Sequence, residues 1–269
     1  MSAFIICQDE EAYIEDCLRS LDLCSEIVVV DSGSRDATIR IVRRLTEEGF
    51  PIRLYQEIWR GYAGQKQFAL EQCAEEWCLN LDADERLDDE LRQALPGMLA
   101  APQEISAWRI RRRPYLIGYG YTPPYVYERP HLRLVRRGKG AYDLRKPVHE
   151  SLRIEGRVRI ARKGSLLHFR PLPIDEQILK DRRYSSLKAA QIVAERIPRP
   201  RFKMVLTPPY YFLRLYFARR LFLCGWPGFI QAMTGAIYSF MTEAKIYQQK
   251  ALDADSAKAR PRSWKKAAE

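Results

Sequence analysis

The chain has 269 residues, 46% of them apolar and 29% charged. That excludes a mostly disordered polypeptide and leaves room for one large α/β domain or two smaller ones. The net charge of +11 is uneven: residues 1–100 carry 21 acids and 10 bases, and the remainder 13 acids and 35 bases. An acidic part suits cations, and a basic part suits an anionic partner.

The first hundred residues alternate strand and helix patterns. Ala3-Phe4-Ile5-Ile6-Cys7 is a short apolar run, and Ile14, Cys17, Leu18 and Leu21 then recur at helical spacing, which predicts an amphipathic helix over Glu10–Leu21. Ile27-Val28-Val29-Val30 reads as a strand buried on both faces, and Asp31-Ser32-Gly33-Ser34 breaks it. Ala37, Ile41 and Leu45 mark a second helix, residues 52–55 a third strand, the Ala69–Ala74 pattern a third helix and residues 77–81 a fourth strand. This βαβαβαβ order predicts a parallel sheet covered on both faces. Residues 103–170 read differently, as short half-exposed strands with arginines on the open face, divided by prolines at 114, 123, 124, 130 and 147. From Asp175 the pattern is helical, with Pro198 and Pro200 ending the first helix. Leu221–Thr242 has no charged residue and is long enough to span a bilayer, but the early Gly225-Trp226-Pro227-Gly228 argues against a simple spanning helix. Residues 253–269 are polar and basic and predict a disordered tail. The domain reading is 1–100, 101–174, 175–252 and 253–269.

The six cysteines contain no CxxC and have apolar neighbours, which favours buried thiols in a reducing compartment over a disulfide framework. The three histidines lack zinc-site spacing, and His131 and His168 read as structural residues of strand-like stretches. No basic leader region precedes Asp9-Glu10-Glu11, so no secretory signal peptide is expected.

In an open parallel sheet ligands bind beyond the carboxyl ends of the strands, and the acids fall there. Glu10 follows the first strand, Asp31 ends the second, and Asp82 ends the fourth, with Asp84 and Glu85 directly after it. Clustered carboxylates repel, so they call for a cation or hydrogen-bond donors between them. Asp82-Ala83-Asp84 can reach one hard divalent ion, Mg²⁺ or Mn²⁺, which fills its other positions with water and phosphate oxygens. GxGxxG and GxxxxGK[ST] are both absent, which disfavours dinucleotide enzymes and P-loop NTPases.

Four segments carry a resemblance: Phe4–Glu10, Val28–Thr38, Gly61–Leu70 and Leu79–Glu85. The sequence resembles family 2 glycosyltransferases of the GT-A fold, and more narrowly the bacterial lipopolysaccharide core-biosynthesis glucosyltransferases. The resemblance is dense over residues 1–90 and thinner through Pro147-Val148-His149-Glu150. It departs at Asp9, where the family usually has Asn. It implies an α/β GT-A domain with helices on both faces of a mostly parallel sheet, followed by a helical C-terminal extension. It implies that Asp31 binds uracil, Glu10 the ribose, Asp82 the ribose and metal, and that Asp84 is the principal metal ligand. Lys66 either reaches the diphosphate or is a solvated helix-end lysine, and Asp36 reads as a helix N-cap.

Such enzymes commonly invert at the anomeric carbon, which requires a base for the acceptor hydroxyl. Glu150 is the first candidate and Asp143 the second; the competing reading of Glu150 is an ion pair with one of many arginines. The expected reaction moves a sugar, glucose by the resemblance, from a UDP-sugar to a lipopolysaccharide core or related lipid-linked glycan. The alternatives are a polyprenyl phosphate or other glycan acceptor on the same fold, and a non-catalytic basic protein that binds membrane or nucleic acid. The basic half shows no nucleic-acid signature. Its arginines interleave with aromatics over Tyr210–Cys224, which suits an anionic membrane surface, with a core-packed helix as the alternative. The expected location is the cytoplasm, peripheral on the inner face of the bacterial cytoplasmic membrane.

Overall fold

The apolar run expected to be buried on both faces is strand β2, Glu26–Asp31, and all of its residues are buried. The computed structural model describes residues 1–126, 129–144 and 152–259. Its first elements are β1 (Ser2–Cys7), α1 (Ile14–Arg19), β2, α2 (Thr38–Glu47), β3 (Ile52–Gln56), α3 (Gly61–Glu71), β4 (Trp77–Asp82), β5 (Glu85–Leu87) and α4 (Asp89–Leu99). After them come β6 (Ile105–Leu116), β7 (Gly120–Tyr121), β8 (His131–Arg136), β9 (Gly140–Tyr142), β10 (Leu152–Ile154) and β11 (Arg157–His168).

β1 pairs in parallel with β2 on one side and β4 on the other, and β3 pairs in parallel with β2. The register sets Cys7 opposite Asp31 and Ile6 opposite Asp82, so the carboxyl ends of three strands lie side by side. The order β3-β2-β1-β4-β8-β6-β11-β5 then turns mixed: β8 is antiparallel to β4 and β6, β6 and β11 run parallel, and β5 returns antiparallel beside β11. β7 pairs with β6, and β9 with β10 in a separate two-stranded sheet. Alternate residues of the central strands feed two cores. Ile5, Val29, Leu79 and Leu81 pack with Leu18, Leu45 and Leu91 on one face, and Phe4, Val28, Val30 and Cys78 with Ala69 and Leu70 on the other.

Several expectations need correction. The first helix is Ile14–Arg19 rather than Glu10–Leu21: residues 11–13 form a turn in which the Tyr13 and Ile14 amides both donate to the Glu10 carbonyl, at 3.0 and 2.9 Å. Pro114 lies inside β6 and does not end it. The arginines of the middle region are not all on an open face: Arg133 and Arg136 are buried. The six cysteines are free and buried.

The chain divides into two units, one formed by Met1–Tyr115, Tyr121–Pro124 and Glu128–Arg170, the other by Leu116–Gly120, Tyr125–Tyr127 and Pro171–Glu269. The second unit is helical: α5 (Ile174–Ala194), α6 (Lys203–Leu213) and α7 (Gly225–Ala259). A π-helical turn over Arg214–Ala218 and a 3₁₀ turn over Leu221–Cys224 join α6 to α7. α7 packs on α5 through Ile246 against Ala189 and Ile192, and its Phe229 meets Phe212 of α6 and Tyr216 of the π-helical turn. The Gly-Trp-Pro-Gly stretch opens α7 rather than breaking it, since a first-turn proline gives up an amide that has no helical acceptor. The helix continues to Ala259, past the start of the expected tail; residues 260–269 lie outside the described residues. Among the described residues no helix is long and apolar enough to cross a membrane.

Candidate active site

Asp31 ends β2 fully buried. Its Oδ2 accepts from the Gly33 amide at 2.9 Å and the Ser34 amide at 3.0 Å, and its Oδ1 accepts from the Ser34 hydroxyl. The turn depends on Gly33, whose φ of +91° is costly for residues with a Cβ. Buried charge is thus matched by donors from its own loop.

The loop after β1 is stitched to the loop after β2. Asp9 takes φ +55°, a left-handed conformation that Asn and Asp tolerate best. Its amide donates to Ser34 Oγ at 2.9 Å, and its carboxylate accepts from the Arg35 amide at 2.7 Å. The acidic Asp9 therefore fills an acceptor role that Asn could fill equally. The Glu10 amide donates to Thr38 Oγ1 at 2.8 Å, the Glu11 amide to Asp36 at 2.9 Å, and the Ala37 amide back to Glu11 at 2.8 Å. Asp36 also accepts from the Thr38 amide at 2.9 Å, so it caps α2 from one residue before the assigned cap. These bonds fix where the Glu10 side chain leaves the backbone.

At the end of β4, Asp82 is gripped by two cations. Lys66 Nζ on α3 lies 3.0 Å from Oδ1, and Arg133 Nη2 on β8 lies 2.8 Å from Oδ2. The same Arg133 nitrogen lies 2.6 Å from Glu85, and Nη1 donates to Asn80 Oδ1 at 3.0 Å. Glu85 in turn accepts from the Asp82 amide at 3.0 Å. Burial works against ionising Asp82, and the Arg133 and Lys66 charges overcome it, holding this carboxyl well below the usual range. Burial pushes Glu85 up, against the pull of Arg133.

Asp84 faces β11 and the residues after it. Arg170 Nε lies 2.5 Å and His168 Nε2 3.2 Å from Asp84 Oδ2, and Arg170 Nη2 also ion-pairs with Glu10. Burial raises the Asp84 carboxyl, but the hydrogen bond and charge of His168 and the charge of Arg170 bring it below its ordinary value. Burial raises Glu10, with Arg170 opposing. Tyr13, Tyr115, Tyr121 and Phe169 form an aromatic cluster alongside, with Arg170 over the Tyr13 ring and Arg86 over Phe169.

The fit of a divalent ion follows from these donors. Asp84 Oδ2 and His168 Nε2 lie 3.2 Å apart, within hydrogen-bond distance, so a divalent ion would take the place of that contact and of the Arg170 pair, while both Asp82 oxygens face Lys66 and Arg133. Among the described residues no group of three or more His, Cys, Asp or Glu is placed to hold a metal ion. A two-donor site fits Mg²⁺ or Mn²⁺ that completes its shell with diphosphate and water.

Residues 2–144 match the sequence profile described as glycosyl transferase family 2. The chain belongs to this family. It is 63% identical over 255 residues, 94% of both chains, to the lipopolysaccharide core biosynthesis glycosyltransferase LpsC of Rhizobium meliloti strain 1021. It is 28% identical over 256 residues to an uncharacterized glycosyltransferase of Rickettsia typhi, covering 91% of this chain and 86% of that one. The fold is similar to a Pyrobaculum calidifontis mannosyltransferase solved with GDP-Man and Mn²⁺, at a TM-score of 0.51 and 20% identity over 97% of this chain and 81% of that one. It is also similar to S. aureus TarS 1-349 in complex with UDP, at 0.50 and 14% over 93% and 91%. The chain is a glycosyltransferase of GT-A-type α/β fold.

For this family 2 enzyme, the structure brings four sequence-predicted residues onto one edge: Glu10, Asp31, Asp82 and Asp84. Lys66 joins them, but as a buried partner of Asp82 and not as a solvated helix-end lysine. Glu150 and His149 lie outside the described residues. Asp143 is buried and ion-paired with Arg153 at 2.7 Å. Sequence reasoning missed Arg133, Arg170 and His168. His168 is no mere packing residue, since it meets Asp84. The available signal was the acid excess itself: this many carboxylates at one edge need cations from elsewhere in the chain.

Proposed function

We propose that this chain is a metal-dependent, inverting glycosyltransferase that moves a sugar from a UDP-sugar to the lipopolysaccharide core or a related lipid-linked glycan at an anionic membrane surface. The observation that carries the proposal is the convergence of Asp31, Asp82, Asp84 and Glu10 at the adjoining carboxyl ends of β1, β2 and β4. The relative at 63% identity is named for lipopolysaccharide core biosynthesis, and similar folds have been solved with UDP or with a nucleotide sugar and Mn²⁺. Glucose is the sugar the sequence resemblance implies.

In this reading Asp31 accepts from the uracil base, and Glu10 holds the ribose. Lys66 and Arg133 keep Asp82 ionised and fixed beside the ribose. Asp84 and His168 hold Mg²⁺ or Mn²⁺, which when bound neutralises charge on the departing diphosphate. Arg170 supplies a second positive charge at the same edge. Glu150 takes the proton of the attacking acceptor hydroxyl.

Thermal unfolding with UDP and UDP-sugars, with and without Mn²⁺ or Mg²⁺, tests the donor site. A ligand at a hundred times its Kd stabilises by about 2.7 kcal/mol. Metal-dependent stabilisation by UDP is expected in the wild type and absent in Asp84→Ala. No response to any nucleotide overturns the assignment.

A further inference from the structure

From Arg196 to Thr242 the sequence has no Asp or Glu and seven Arg or Lys. The same stretch exposes large apolar side chains in ordered rows. On α7, Trp226, Ile230, Met233, Ile237 and Phe240 are all exposed, and Trp226 is 77% exposed. Their spacing of four, three, four and three residues puts them on one helical face. Ala232, Ala236 and Glu243, on an adjoining side of the helix, are buried. α6 has no buried residue, and it and its flanks expose Phe202, Leu206, Tyr210, Leu213 and Phe217 at similar spacing. Arg201, Arg214 and Arg220 are exposed among them. At one end of the two helices lies a cavity of 240 Å³ lined by Arg199, Arg201, Tyr247 and Lys250. Its one acid, Glu243, is paired with Arg199 at 3.3 Å.

Rows of exposed large apolar side chains on two helices packed together mark an interaction site. Charge selects the occupant. A second copy would bring the same excess of cations, with Glu243 already paired to Arg199, and like charges repel. Nucleic acid would match the arginines but leave the aliphatic rows in water. An anionic bilayer matches both, with acyl chains against Trp226 and Ile230 and phosphates against the arginines. No described helix can cross the bilayer, so the contact is lateral.

We propose that the α6–α7 face of the second unit docks flat on an anionic lipid bilayer, with the Arg199–Arg201–Lys250 cavity receiving a headgroup phosphate. This deepens the lipid-linked-acceptor part of the proposed function and rests on that part alone; it needs nothing from the donor site.

The test is sedimentation of the full chain with vesicles of phosphatidylcholine alone or mixed with phosphatidylglycerol. The protein is expected to pellet with the mixed vesicles only, and less so at high salt. The Trp226→Ser/Ile230→Ser variant should weaken binding roughly tenfold or more, as should Arg201→Gln/Lys250→Gln. Both variants should keep the wild-type melting temperature without lipid and the wild-type response to UDP and Mn²⁺, which separates docking from folding and from the donor site. Equal binding to neutral vesicles, no binding, or undiminished binding by the variants overturns the proposal. So does a dimer in light scattering that Trp226→Ser/Ile230→Ser dissolves, since the face would then belong to a second copy. Vesicle binding without any UDP response would defeat the donor reading and leave the docking surface standing.

Discussion

Arg170 Nε lies 2.5 Å from the Asp84 carboxylate, and the same guanidinium ion-pairs with Glu10, 160 positions earlier in the chain. One residue just past β11 therefore ties the loop after β1 to the loop after β4. In the proposed function a divalent ion on Asp84 would stand close to this charge, so the two cations would compete when no nucleotide is present. With diphosphate bound they would act together, because the anion would draw on both. Arg170→Ala is expected to bind Mn²⁺ alone more tightly, by about tenfold for one unit charge removed at short range, and to bind UDP with Mn²⁺ more weakly. Arg170→Lys should stay near wild type for the metal alone. Calorimetric titration of each ligand checks this. A variant that loses both affinities together would show that Arg170 only holds the loops in place.

Arg133 has a different task. It neutralises Asp82 and Glu85 together, and Glu85 has no exposure to solvent. Removing one partner of a buried pair leaves an uncompensated charge, which costs about 3–5 kcal/mol. Arg133→Ala should lose stability on that scale in urea unfolding. The double variant Arg133→Met/Glu85→Leu should recover much of the loss, since it removes both the buried cation and one of its buried anions. Failure of the double variant to recover would mean that Arg133 works through Asp82 and Asn80 instead.

Much of this was legible in the sequence, and the limits have physical causes. Strands β1, β2 and β4 showed because each is a short apolar run buried almost throughout, β3 showed as a shorter half-exposed edge strand, and the acids showed because sheet topology brings the strand ends together. The cations that hold the acids did not show. Arg133 sits in Leu132-Arg133-Leu134, an alternation that ordinarily puts the charged residue toward solvent, and only the antiparallel return of β8 beside β4 turns it inward. His168 and Arg170 are similarly remote in sequence and reach Asp84 because β11 crosses to pair with β5, with Glu85 opposite His168. Long-range pairing of this kind leaves no local signature. The Gly-Trp-Pro-Gly stretch misled for the opposite reason: its residues are breakers within a helix but good openers of one.

Away from the site, Glu26 gives a pH prediction. Its carboxylate accepts from the Ala74 amide at 2.8 Å and from the Ser2 hydroxyl, and it pairs with Arg53 at 2.6 Å. Burial alone would raise this carboxyl, but these donors bring it below its ordinary 4.5. A carboxyl with a depressed native value adds stability above its unfolded value and loses that contribution as pH falls through the native one. Glu26→Gln should therefore cost about 1–3 kcal/mol at neutral pH, the scale of hydrogen bonds to a charged group. The gap between wild type and variant should narrow as pH falls below 4.5. Denaturant midpoints for both proteins across the acid range check this, and a gap that stays constant with pH would rule out Glu26 ionisation as its source.

Gly228 offers a test of how the second unit is built. A Cβ on it would lie 1.9 Å from the Leu221 carbonyl oxygen and 3.0 Å from Cys224 Cβ. The nearest obstacle is backbone, so a rotamer change cannot relieve the clash. The 3₁₀ turn of Leu221–Cys224 would have to move away from α7, and with it Leu221 and Cys224, which are buried with Leu116 and Ala232. Overpacking of this kind costs about 1–3 kcal/mol where side chains can yield, and backbone that cannot yield puts Gly228→Ala at or above the upper end. Trp226→Ala, two residues away, removes a side chain that is 77% exposed and should leave the melting temperature unchanged. The contrast is informative because both changes fall in the first turn of α7. If Gly228→Ala melts like wild type, the turn and the helix are not closely packed in solution. If Trp226→Ala destabilises the protein, the indole packs against protein and the exposed face of α7 is smaller than described.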